Sequence, residues 1–301
     1  MTGDQGSAQT VAEPPRTARP DGFTRAGCRV RPGRSLGEVL HRRPAGVTAN
    51  QWNSAIRTRV DFVVHDADTG APAFVVEFDD PDGQAGASPR TARAYRTVGA
   101  VCEAVGLELL RIESAALRPA VHGRWIVEYL IDARGYAAGV GGDPLPDDGW
   151  TDPAPSYRDI VGRLPDGRTG PVNDLGAVAR AAAVEAFVSR RTVDPIIRGL
   201  HVRWTDGPAE GWGWLQLRER RYLFERVRVW PYRFTCGIDL GQLAEDLAAA
   251  AIGERIRQLD AADPATRDGA ELERALAQLR GRRDELESGF GYDHVRFDHR
   301  S

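Results

Sequence analysis

Lysine is absent from all 301 residues, so the 40 basic side chains are arginines, and chemistry that needs a lysine amine is closed to this chain. Methionine occurs once, at Met1. Cysteine is scarce: Cys28, Cys102 and Cys236 are odd in number, far apart and never in a C-x-x-C pair. That pattern excludes a disulfide framework and a cysteine zinc site, and it fits a reducing compartment. No apolar run reaches 18 residues, so no transmembrane helix is expected. No apolar core follows the N-terminus, as a secretory signal would require; the expected location is the cytoplasm. A chain that is 42% apolar and 28% charged is not disordered throughout. Arginine without lysine is also what a GC-rich genome writes, so arginine abundance alone does not make a nucleic-acid surface.

The charge that is present is unevenly placed. From Gly22 to Val60 eight arginines (25, 29, 31, 34, 42, 43, 57, 59) face one acid, Glu38. From Asp61 to Asp82 the balance inverts to seven acids and no arginine. A basic surface beside a compact set of carboxylates is the expected result. At about 150 residues per domain the length suggests two domains. The boundaries read as a disordered tail over 1–21, a first domain over 22–138, a Gly/Pro/Asp-rich linker over 139–171, a second domain over 172–290 and a tail over 291–301.

Within the first domain, residues 59–65 and 73–79 are β-branched and aromatic, and Asp66–Gly70 supplies turn residues between them; the pair reads as a hairpin. Residues 90–105 place Tyr95, Val98, Val101, Cys102 and Val105 on one helical face, with Gly106 as the cap. A strand over 107–112 and a helix over 119–133 complete an α/β layer. After the linker the pattern gives a helix over 173–191, aromatic strands near 200–205, 212–217 and 222–229, and helices over 239–259 and 270–288. That is a smaller α+β domain with its own core.

The period of two along a strand puts Glu77 and Asp79 on one face, and a hairpin brings Asp61 toward them. Three converging carboxylates repel unless protonated or holding a cation, and oxygen donors of this kind suit Mg²⁺ or Mn²⁺. Such an ion activates water and polarises a phosphodiester. In the second half, eight aromatics and six arginines lie between Trp204 and Phe234. They suit either base stacking or the inner face of a small sheet, and Trp212 and Trp214 share a strand face, as core residues would.

The stretches Arg59-Val-Asp-Phe-Val-Val, Phe-Val-Val-Glu-Phe-Asp-Asp80 and Ala-Val-Gly-Leu-Glu-Leu-Leu-Arg-Ile112 resemble an uncharacterised bacterial domain family. That family is related to the very-short-patch repair endonuclease, within the PD-(D/E)XK nuclease superfamily. The similarity covers roughly residues 25–135. It implies a restriction-endonuclease-like αβββαβ core, with Asp61 as the motif aspartate, Glu77 as the motif glutamate and Glu38 matching the acid of the first helix. Asp79 stands where the superfamily has lysine, and Gly83 where the family has histidine; the family's following arginine–aspartate pair is missing. Gln84 and His65 are accessory candidates, and Arg59, Arg90, Arg93 and Arg111 are candidates for phosphate contact. The resemblance implies a Mg²⁺-dependent DNA endonuclease of repair or phage defence, cytoplasmic, with DNA as partner and no membrane. The alternative is a nuclease fold that has lost catalysis and binds DNA or protein, with residues 173–290 as the surface for a protein partner.

Overall fold

Short apolar runs on either side of the Asp66–Gly70 turn, Phe62-Val63-Val64 and Phe74-Val75-Val76, are buried on both faces and build the middle of a large sheet. The computed structural model describes residues 22–81, 89–140, 156–165, 167–260 and 265–287, the side chains of 89–92 and 140 excepted. The expected tails, most of the expected linker, and Gly83 and Gln84 lie outside the described residues.

Strands β1 (Phe23–Arg25) and β2 (Cys28–Ser35) form a hairpin, and α1 (Ala49–Ala55) follows, started by a Thr48 hydroxyl that accepts the Gln51 N–H at 3.3 Å. Strands β3 (Arg59–Asp66) and β4 (Pro72–Asp79) pair antiparallel. Their turn is tied by the Asp66 carboxylate, which accepts the Thr69 N–H at 2.7 Å, and by Gly70 at φ +70°. Helix α2 (Pro89–Val105) stops where Gly106 turns left-handed and crosses to β5 (Glu108–Glu113), which runs parallel to β4. Helix α3 (Pro119–Val140) closes this segment. Then come a small separate hairpin, β6 (Val161–Arg163) with β7 (Thr169–Pro171), and α4 (Ala177–Val188). Strands β8 (Arg198–Arg203), β9 (Ala209–Arg218) and β10 (Arg221–Tyr232) form a meander. Helix α5 (Leu240–Arg257), β11 (Arg267–Asp268) and α6 (Gly269–Gly281) end the described chain apart from a short turn.

Nine strands make one mixed sheet in the order β1-β2-β3-β4-β5-β10-β9-β8, with β11 paired to β10. The α/β class is therefore as expected, but the order of elements over 22–140 is ββαββαβα rather than αβββαβ. Glu38 is the reason for one difference. It closes a short 3-10 turn after β2, not a helix ahead of the sheet. Pro32 and Gly33 hide β2 from a pattern search, yet Pro32 is tolerated because it lies past the end of the β1 pairing, on an edge of the sheet.

The sheet does not stop at the change in composition. Antiparallel pairing of Arg228–Tyr232 with Leu109–Glu113 joins the two halves. The largest apolar cluster draws on both, with Phe62, Phe74, Leu110 and Ile112 beside Val227, Leu243 and Leu247 under α3 and α5. Two other clusters belong to the second half alone. The described part of the expected linker is docked: Tyr157 packs edge-on to Tyr129 and donates to Asp132 at 3.3 Å. On the opposite sheet face, α1 and α2 cover one end, through Val63, Val75, Leu109, Val98 and Cys102. Helix α6 covers the other end, over Leu200, Trp212 and Trp214. Both tryptophans are buried there as core.

A carboxylate–arginine cluster as candidate functional site

Between α2 and α6 the sheet face is polar, and register decides which side chains share it. Val63 lies opposite Val75, so Asp61 and Glu77, each two residues further along in opposite directions, project from that same face. Glu77 is beside Arg111 of β5, and Asp79 beside Glu113. Asp61, Glu77, Asp79 and Arg111 are thus brought to one patch.

Glu77 and Arg111 are only 5% and 3% exposed, so each needs the other. Arg111 donates from Nε at 3.0 Å and from Nη2 at 2.7 Å, both to Glu77 Oε2. Its guanidinium lies 4.1 Å from the centre of the Tyr95 ring and reaches the Tyr232 hydroxyl at 3.4 Å. Tyr95 donates its own hydroxyl to Asp79 Oδ1 at 2.7 Å, so one ring holds both an acid and the arginine. Asp61 Oδ2 accepts the Phe78 N–H at 2.7 Å, which fastens β3 to β4 at the site.

Burial drives the electrostatics. It pushes the Asp61 carboxyl up to about 6, with the negative Glu77 adding to the rise and the Phe78 N–H opposing it. Glu77 is also raised, by burial first, against the pull of Arg111. Asp79 is raised by burial and by Glu113, against the Tyr95 hydrogen bond. Cys102 of α2 is pushed up to about 12 by burial and the Glu77 charge, so it supplies no thiolate nucleophile.

An Asp61 pKa above the ordinary 3.8 makes a signed prediction. The favourable contribution of the protonated group is complete below about pH 4 and is lost as pH rises through about 6; ionised Asp61 then costs the fold stability. Asp61→Asn keeps an acceptor for the Phe78 N–H. It is expected to raise stability by about 1–2 kcal/mol near pH 8 and to give no gain near pH 4, read from urea midpoints.

Asp61 uses Oδ2 and Asp79 uses Oδ1, so each keeps one oxygen outside these bonds, and Glu77 Oε1 is buried without a hydrogen-bond partner. A buried orphan oxygen of this kind is costly unless something occupies it in use. Three hard oxygen donors fit Mg²⁺ or Mn²⁺ in type. Among the described residues no three acids stand close enough to close round one ion, so an ion would have to draw the side chains inward.

Other expected residues are elsewhere. Glu38 spends its carboxylate on Ser35 N–H at 3.0 Å and on Arg34 at 3.0 Å, which caps the turn after β2. His65 sits at the far end of β3, roughly 13 Å along the strand from Asp61, with Nδ1 3.1 Å from the Gly70 carbonyl; it does not replace the missing histidine. Arg59 donates to the Gly33 carbonyl at 2.7 Å, at the cross-strand position beside Asp61. Arg93 is exposed on α2; the Arg90 side chain lies outside the described residues. Arg29 and Arg31 of β2 pair with His65 and Val63, so they project from the Asp61 face, exposed and, among the described residues, without an ion pair. Tyr95, Tyr232, Glu113 and Arg228 were not foreseen. Only Tyr95 had a signal, a polar tip at the end of an apolar helical stripe.

Residues 28–123 match the model of a family described as a protein of unknown function (DUF2726). The match contains every residue of the trio, Arg111 and Tyr95, and ends inside α3. No curated protein and no solved structure matches the chain. Among the described residues, no helix is long and apolar enough to cross a membrane.

Proposed function

We propose that the Asp61–Glu77–Asp79 patch is the metal-dependent centre of a DNA phosphodiester hydrolase of PD-(D/E)XK type. Glu77 carries the assignment. It is a buried carboxylate flanked by two others, with one oxygen held by Arg111 and the other left without a partner. A stability-driven core would not keep three acids on one face of adjacent strands. Bound there through the free oxygens of Asp61, Glu77 and Asp79, Mg²⁺ would polarise the scissile phosphate and make hydroxide available. The chain's own groups do the rest. Arg111 holds Glu77, the Tyr95 hydroxyl holds Asp79 and the Phe78 N–H holds Asp61, while Arg29 and Arg31 offer phosphate contacts on the same face.

Arg111 also motivates a second reading. A guanidinium already neutralising Glu77 is what a site would keep after losing its metal, which makes a DNA-binding module without turnover. Plasmid nicking with Mg²⁺ or Mn²⁺ separates the two. Wild type should nick, and Asp61→Ala and Glu77→Ala should each lose at least about 10³-fold in rate. Nicking that survives both substitutions removes the assignment. A gel shift in EDTA with no nicking under either metal selects the binding module.

A further inference from the structure

The row of side chains that crosses the carboxylate site continues into a cavity. Asp79 pairs with Glu113, Glu113 with Arg228, and Arg228 with Glu210, so all four lie in one line on one face of four adjacent strands. Arg228 ties the line together, donating to Glu113 at 2.7 Å and to Glu210 at 3.1 Å. Trp230 is beside Arg111 in the next line and reaches Glu113 through its indole N–H at 3.4 Å. Glu210, Arg228 and Trp230 floor a cavity of about 580 Å³, whose opposite wall is Trp204 and the turn after α6. Strands are about 4.8 Å apart, so the cavity floor lies roughly 10 Å from Asp79, two strands away.

The chemistry of the walls restricts what enters. Asp206, Glu210, Asp284 and Glu285 line it against only Arg228 and Arg282. Both arginines are engaged: Arg228 by two acids, Arg282 by Glu285 at 2.6 Å and by stacking 4.1 Å from the Trp204 ring centre. A phosphate would meet excess negative charge. A flat, uncharged group with N–H donors would find two indole walls and carboxylate acceptors.

We propose that this cavity takes one unstacked nucleobase bearing an exocyclic amine, adenine, cytosine or guanine, from a nucleic acid whose backbone meets the carboxylate patch. The proposal rests on the nucleic-acid reading of that patch. Extraction of a base costs little when it is unpaired, so single-stranded or mismatched positions would be favoured. None of the cavity's residues falls within the matched segment 28–123, so this chain's second half would supply the selectivity.

Free nucleosides test the pocket without metal or cleavage. In ¹H–¹⁵N spectra recorded in EDTA, adenosine, cytidine or guanosine near millimolar concentration should shift the indole resonances of Trp204 and Trp230. Thymidine and uridine, which lack the amine, should bind at least about 10-fold more weakly. Trp204→Leu should abolish the response. The exposed-rim pair Asp206→Asn with Asp284→Asn, which leaves the floor intact, should erase the preference for the amine. Equal shifts from all five nucleosides, or none, overturn the pocket. Nucleoside binding by a protein that neither nicks nor shifts DNA sustains the pocket and sinks the carboxylate assignment. DNA engagement with silent indoles does the reverse.

Discussion

An Arg111→Met protein is expected to lose about 3–5 kcal/mol of stability near pH 8, because the change strands the Glu77 carboxylate in the sheet. The side chains are of similar length, so packing against Tyr95 and Tyr232 is largely kept and the loss reports charge. Glu77 already sits above its ordinary range through burial, and without Arg111 it rises further. Its favourable protonated form is then present at low pH and lost as pH climbs. The deficit of the variant should therefore shrink steadily from about pH 8 to about pH 5, measured by urea unfolding. Glu77→Gln in the same chain should recover most of it, since no charge is left unpaired. Millimolar Mg²⁺ adds a functional arm. If Glu77, Asp61 and Asp79 form a cation site, Mg²⁺ should stabilise Arg111→Met and should not stabilise the double variant. Equal behaviour of the two in Mg²⁺ would mean the trio is a structural ion cluster.

The elements around this site were legible because their patterns are local. β3 and β4 show β-branched and aromatic runs on either side of a turn with Asp66 and Gly70, and α2 shows one apolar stripe with a glycine stop. That Glu77 and Asp79 share a face follows from the period of two along a strand. Arg111 was conspicuous as a charge inside an apolar strand, but its partner depends on the parallel register of β4 and β5, which no local pattern encodes. Long-range pairing hid more. Nothing near Leu109–Glu113 announces that residues 228–232 will lie beside it, so the sheet's continuity, Tyr232 and the Glu113–Arg228 bridge were invisible. β2 was obscured by Pro32 and Gly33, and Glu38, which the family resemblance places in a first helix, closes a short 3-10 turn after that strand. His65 shared a strand face with Asp61 as the alternation says. Strand rise, not face, keeps it out of the site.

Gly211→Ala tests whether that continuity is energetic as well as geometric. In Glu210-Gly-Trp-Gly-Trp214 the alternation puts tryptophans under α6 and glycines under α5, whose backbone comes down onto β9. A Cβ on Gly211 would stand 2.1 Å from the Ala244 carbonyl carbon and 2.2 Å from the Glu245 nitrogen, atoms that no rotamer change can move. Helix α5 must lift, which opens the packing of Leu243 and Leu247 against the cluster shared by both halves. The expected cost is about 3 kcal/mol, the upper part of the overpacking range, or roughly 6–12 °C in Tm for a domain of this size. Gly211 lies far from the matched segment in sequence but in the same sheet as Glu77. If β5 and β10 unfold together, calorimetry will show one transition that moves as a whole. A second transition that stays in place would mean that the carboxylate half folds on its own, and that the cavity at Glu210 is attached to it and not built into it.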